Sequence, residues 1–164
     1  MKKEDKQQFT LRITQANPTE LVVILYEMLL CYLEDGKEAL QQEETDTPEG
    51  QRRFHEAVRN ARGCLNELLQ SLDLNYEPAP ALQRLYMFCL RRLARGEQRR
   101  ESGLFDEIKR VIVPLSDAYR SIAGQNGAGP VMNNSQAVYA GLTYGRNTLT
   151  ENLADQGLNR GILA

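Results

Sequence analysis

The side chains of this 164-residue chain best suited to chemistry are one histidine, His55, and three cysteines, Cys31, Cys64 and Cys89. The cysteines are an odd set, far apart, each inside an apolar helical pattern. That fits buried reduced thiols better than a disulfide or a metal site. No Glu-x-x-His pair is present to build a metal centre in a helical bundle. The chain also has no P-loop, no Cys-x-x-Cys and no serine nucleophile elbow. Gly141-Leu142-Thr143-Tyr144-Gly145 lacks the Lys-Ser/Thr pair and the preceding strand that phosphate binding needs. His55, with Arg59 one turn later, is left as a lone imidazole on a helix, able at most to accept a phosphoryl group. Catalysis needs several titratable groups positioned together in a cleft, so the expectation is no enzyme, no cofactor and no metal.

The elements that carry these residues are helical. The stretch 21–33 reads Leu-Val-Val-Ile-Leu-Tyr-Glu-Met-Leu-Leu-Cys-Tyr-Leu, with Glu27 its sole charge. A helix apolar nearly all round needs cover on several sides. The run is shorter than the roughly 20 apolar residues that span a bilayer, so no membrane insertion is expected. It reads as the central helix of a bundle, covered either by another part of the chain or by a partner. Asn17-Pro18-Thr19-Glu20 supplies an N-cap, a proline at N1 and an acid at N3. The predicted helix covers 18–42. Gly36 inside it reads as a tolerated weakness of about 1 kcal/mol against Ala.

Thr47-Pro48-Glu49 opens a second helix over 49–73. Its seam is Phe54, Val58, Ala61, Leu65, Leu68 and Leu72, and Gly63 is read as a point of close approach. A third helix, 80–96, carries Leu82, Leu85, Tyr86, Cys89, Leu90 and Leu93. Arg91, Arg92 and Arg95 fall near its expected end, where they complement the dipole, and Gly96 is the predicted stop. Ser102 is placed as the cap of a fourth helix, 103–123, striped by Leu104, Ile108, Val111, Ile112, Leu115, Tyr119 and Ile122. Burial of that stripe offsets the cost of Pro114, so a bend and not an end is expected there.

These helices with short links predict an all-α, antiparallel up-down-up-down four-helix bundle, occupying 17–123. An extended N-terminal arm, 1–16, precedes it, because Phe9, Leu11 and Ile13 alternate. A Gly-rich linker and tail, 124–164, follows, either disordered or docked on the bundle. Within the tail, Thr148-Leu149-Thr150-Glu151 is a capping box. Hydrophobic residues make up 41% and charged residues 26%, with net charge −2 and pI about 5.6. That balance excludes a strongly basic nucleic-acid binder. Residues 1–5 are charged and no apolar leader segment follows them, so a cytoplasmic location is expected.

Three motif blocks carry a resemblance. The first is Ala16-Asn17-Pro18-Thr19-Glu20-Leu21 followed by Leu25-Tyr26-Glu27. The second is Glu67-Leu68, Ser71-Leu72-Asp73 and Tyr76-Glu77. The third is Leu82, Leu85-Tyr86 and Arg91-Arg92-Leu93. In colinear order over roughly 14–119 they resemble the flagellar secretion chaperones that hold flagellin, the FliS family. Tyr119 stands where that family usually closes its last helix with Trp. Phe9 is the aromatic residue of the arm, where relatives often have a Tyr that tucks into the binding groove.

The resemblance implies a non-enzymatic, cytoplasmic chaperone that binds the C-terminal segment of flagellin. It would prevent premature polymerisation and deliver the subunit to the type III export gate. Phe9, Leu21, Tyr26, Tyr86 and Leu93 are then expected to line or border the groove. Leu142, Tyr144, Leu149 and Leu153 of the tail are expected to dock on it in the empty protein. A monomer or weak homodimer is the expected assembly. The alternative is a phosphotransfer or other signalling bundle using His55. Its sequence, His55-Glu56-Ala57-Val58-Arg59, lacks the Lys-Gly that such domains carry after the histidine.

Overall fold

The computed structural model describes residues 3–41 and 46–124. Every regular element among them is helical: α1 (Lys3–Gln15), α2 (Pro18–Gln41), α3 (Pro48–Gln70), α4 (Ala79–Arg99) and α5 (Gly103–Ala123). The start of α2 is a reciprocal capping box. The Glu20 amide donates to Asn17 Oδ1 at 2.9 Å, and the Asn17 amide donates to Glu20 Oε2 at 2.8 Å. The Thr47 hydroxyl accepts from the Gly50 amide at 3.1 Å to open α3. Ser102, expected as a side-chain cap, makes no such bond. Instead its carbonyl accepts from the Phe105 amide at 3.0 Å.

Helices α2 to α5 form the expected four-helix ring. α2 packs on α3 and α5, and α4 packs on the same two. α2 and α4 are diagonal, and among the described residues their Cα traces do not approach within 8 Å. Their side chains meet across the core, where the Tyr26 and Tyr86 hydroxyls share a hydrogen bond and Tyr119 stacks edge-on against Tyr26 at 5.6 Å.

One side chain keys the other end of the core. Phe105 of α5 is 1% exposed, and its ring lies 6.2 Å from that of Phe54. A Cβ added at Gly96 would fall 2.7 Å from Phe105 Cε1, and one at Gly36 would fall 3.3 Å from Cε2. Gly36 and Gly96 are therefore notches for this ring, on α2 and α4 respectively. Gly36 is not the tolerated weakness that its helical context indicated. Gly96 is not the helix stop: α4 continues to Arg99 and ends at Arg100, whose φ of 52° is left-handed. Gly63, expected at a close approach, has open space around it. α5 runs through Pro114, whose ring is on the exposed side.

The largest departure lies at the N-terminus. The expected extended arm is the helix α1. Phe9, Leu11 and Ile13 alternate as a strand would require, but Phe9 and Ile13 are also four apart and so share one side of a helix. Burial follows the helical period: Phe9 is buried and Ile13 half-buried against the core, whereas Leu11 is 61% exposed.

Candidate functional site

The central helix is covered as its sequence demands. Of the 24 residues of α2, Pro18, Glu38 and Gln41 alone are exposed. α3 and α5 cover two sides, and α1 lies on a third. α1 folds back antiparallel to α2: Asp5 is close enough to Cys31 to act on it electrostatically, and Arg12 reaches Glu27. Ala16 and Asn17, both buried, make the turn between the two helices.

The attachment of α1 is narrow. Phe9 enters the core cluster, with Ile13 packed beside it. The guanidinium of Arg12 lies 5.7 Å from the centre of the Phe9 ring and its Nη1 donates to Glu27 Oε2 at 2.5 Å. Lys6 reaches Glu56 of α3 at 3.8 Å. Glu27 is also bonded from the other side, by Arg120 Nη2 of α5 at 3.1 Å. Partial burial pushes the Glu27 carboxyl up, but the hydrogen bonds from Arg12 and Arg120 outweigh it and hold the carboxyl below its ordinary range. A lone carboxylate in an apolar run demanded a cation, and that was the readable signal for this junction. A shallow hollow of about 310 Å³ opens there, lined by Arg12, Glu20, Val23, Glu27, Arg120, Ala123 and Gly124.

The structure separates the residues expected at a groove. Tyr26, Tyr86 and Leu93 are at most 1% exposed and lie inside the bundle, presenting no surface to a ligand in this conformation. Leu21 is half-buried against the core, and Phe9 belongs to the cover itself. The aromatic cluster of Tyr26, Tyr86 and Tyr119 is apolar enough that burial pushes the Tyr86 hydroxyl up to about 12 and raises Tyr26 and Tyr119 as well. Leu142, Tyr144, Leu149 and Leu153 lie outside the described residues.

The other candidate chemistry is inert. Burial pushes the Cys64 and Cys89 thiols up to about 12, and raises that of Cys31, opposite to what a nucleophile needs. Among the described residues no cluster of His, Cys, Asp and Glu could hold a metal. Nor is any helix there long and apolar enough to cross a membrane. His55 is exposed on α3, with Nδ1 3.4 Å from Glu97 Oε1, and Arg62 binds the same carboxylate at 2.5 Å.

A family model described as flagellar protein FliS matches residues 1–126. The chain is also similar to the flagellar secretion chaperone FliS of Bacillus subtilis (strain 168). The two are 22% identical over 108 residues, 66% of this chain and 77% of that protein.

Proposed function

The chain belongs to the FliS family of flagellar chaperones, which is not a family of enzymes, and from that premise we propose that it holds the C-terminal segment of flagellin on the face of α2 now covered by α1. In this reading α1 is a stand-in for the client helix. The bound subunit is kept from polymerising in the cytoplasm until the type III export gate receives it.

The observation that carries the reading is the combination of a very apolar α2 with a narrowly attached cover. α1 is 13 residues long, and an isolated helix of that length is marginal in water. Once released, it loses little by melting. The face it leaves, marked by Glu27 and Cys31 one turn apart with apolar Ile24 and Met28 beside them, suits an amphipathic helix lying in a groove. A client with several apolar anchors has more area to bury than Phe9 and Ile13 provide. Tyr26, Tyr86 and Leu93 then act as the rigid floor beneath the face and not as its contact surface.

Titrating a flagellin C-terminal peptide into the full chain and into two truncations tests this. Removing residues 1–15 should tighten binding by roughly the free energy that holds α1 down. If removing 125–164 tightens binding while removing 1–15 does not, the tail is the cover and α1 is part of the fixed fold. Absence of binding to all three forms overturns the flagellin reading.

A further inference from the structure

The helix diagonal to α2 has an unexplained side. Its buried seam is Leu82, Tyr86, Cys89, Leu93 and Gly96, stepping by 4, 3, 4 and 3. A second seam, Arg84, Phe88, Arg91 and Arg95, steps by 4, 3 and 4 on the outward side. Arg84, Arg91 and Arg95 are exposed and Phe88 is half-buried. Met87, 43% exposed, lies beside it. Phe88, Arg91, Arg92 and Arg95 line a shallow hollow. Because α4 runs on to Arg99, Arg91, Arg92 and Arg95 are not in the last turn and dipole compensation does not account for them. Arg92 has a partner, Glu107 at 3.0 Å, and its guanidinium lies 5.1 Å from the centre of the Phe88 ring. Among the described residues, Arg84, Arg91 and Arg95 meet no carboxylate.

We infer that this outward seam is a docking site for an acidic amphipathic helix of a partner protein. Regular 4-3-4 spacing along one straight line matches the way one helix packs on another. α4 carries five arginines, one glutamate and no lysine, and guanidinium forks are suited to paired carboxylates. The chain's own tail does not supply the charge: residues 125–164 hold Glu151 and Asp155 against Arg146 and Arg160. The apolar part of this seam, Phe88 and Met87, is narrower than the apolar face by which a helix beds into lipid. Since α1 lies on α2 and α4 is diagonal to α2, this partner and a client on α2 have separate faces, and both can be bound at once. The inference does not depend on what α2 binds.

The test uses a synthetic helical peptide with a leucine seam flanked by glutamates, and the same peptide with lysines in their place. The full chain should bind the glutamate form, with amide shifts confined to α4 and neighbouring residues of α5. Affinity should fall about tenfold or more in Arg91→Glu/Arg95→Glu, and less in Arg91→Gln/Arg95→Gln. Binding of flagellin peptide should be unchanged in both, which separates this proposal from the one for α2. No binding, equal binding of the two peptides, or shifts on another face overturn the inference. So does binding to phosphatidylserine vesicles in place of the peptide. A severalfold gain on removing 125–164 also overturns it, because the tail is then the occupant.

Discussion

Of the three helices that lie against α2, α5 and α1 are attached in opposite ways. α5 presents Leu104, Phe105, Ile108, Ile112 and Ser116 to the core, all buried, and keys Phe105 into notches on two helices. Lys37 and Lys109 pair with Asp106 and Glu34 along the same contact. α1 has one buried aromatic ring, Ile13 beside it, and ion pairs at partly exposed positions, which contribute little to stability. In the proposed reading, the difference is between a cover that is part of the fold and one that can leave without breaking it. On that proposal a chaperone does not need an open groove, because release of α1 would expose one.

The largest expected effect separates the two covers directly. Phe105→Ala should destabilise the whole bundle by about 3–5 kcal/mol, read from denaturant midpoints. Phe9→Ala should cost less than about 2 kcal/mol globally, because α1 can detach and limit the loss. Equal costs would place α1 in the fixed core. The notches give the next contrast. Gly96→Ala should destabilise by about 1–3 kcal/mol through overpacking against Phe105. Gly63→Ala, in open space on a helix, should stabilise by about 0.5–1 kcal/mol. A stabilising Gly96→Ala would show that the ring moves aside freely.

The smallest effect is pH-dependent. Glu27 is held below its ordinary range in the fold, so its contribution is present above the unfolded carboxyl pKa and is lost as pH falls through the folded one. Arg12 then loses its charged partner. Amides of α1 should lose protection as the pH falls below the ordinary carboxylate range, before those of α3 and α4 do. Simultaneous loss in all helices would assign Glu27 to the global fold and not to the attachment of α1.

Much of the fold was legible because the deciding signals are local. Caps at Asn17 and Thr47 and seams stepping by 4 and 3 place four helices within a few residues of their bounds. What was not legible depends on contacts distant in sequence. Gly36, Gly63 and Gly96 look alike in a helical pattern, and Phe105, 69 and 9 residues from the two notches, decides which of them matter. The arm was ambiguous because Phe9, Leu11 and Ile13 fit both a period of two and a spacing of four, and docking on α2 chose the second. At the site, the need of 21–33 for cover was readable from composition. The identity of the cover was not, because α1 is mostly polar and is recognised through Phe9 and a single carboxylate on the opposite helix.

In the proposed reading α1 gives up its place to the client. Amide hydrogen exchange of the full chain, with and without a saturating flagellin C-terminal peptide, tests that most directly. On binding, α1 amides should lose protection while those of α2, α3, α4 and α5 keep or gain it. A peptide that binds tightly while α1 stays as protected as before would contradict it.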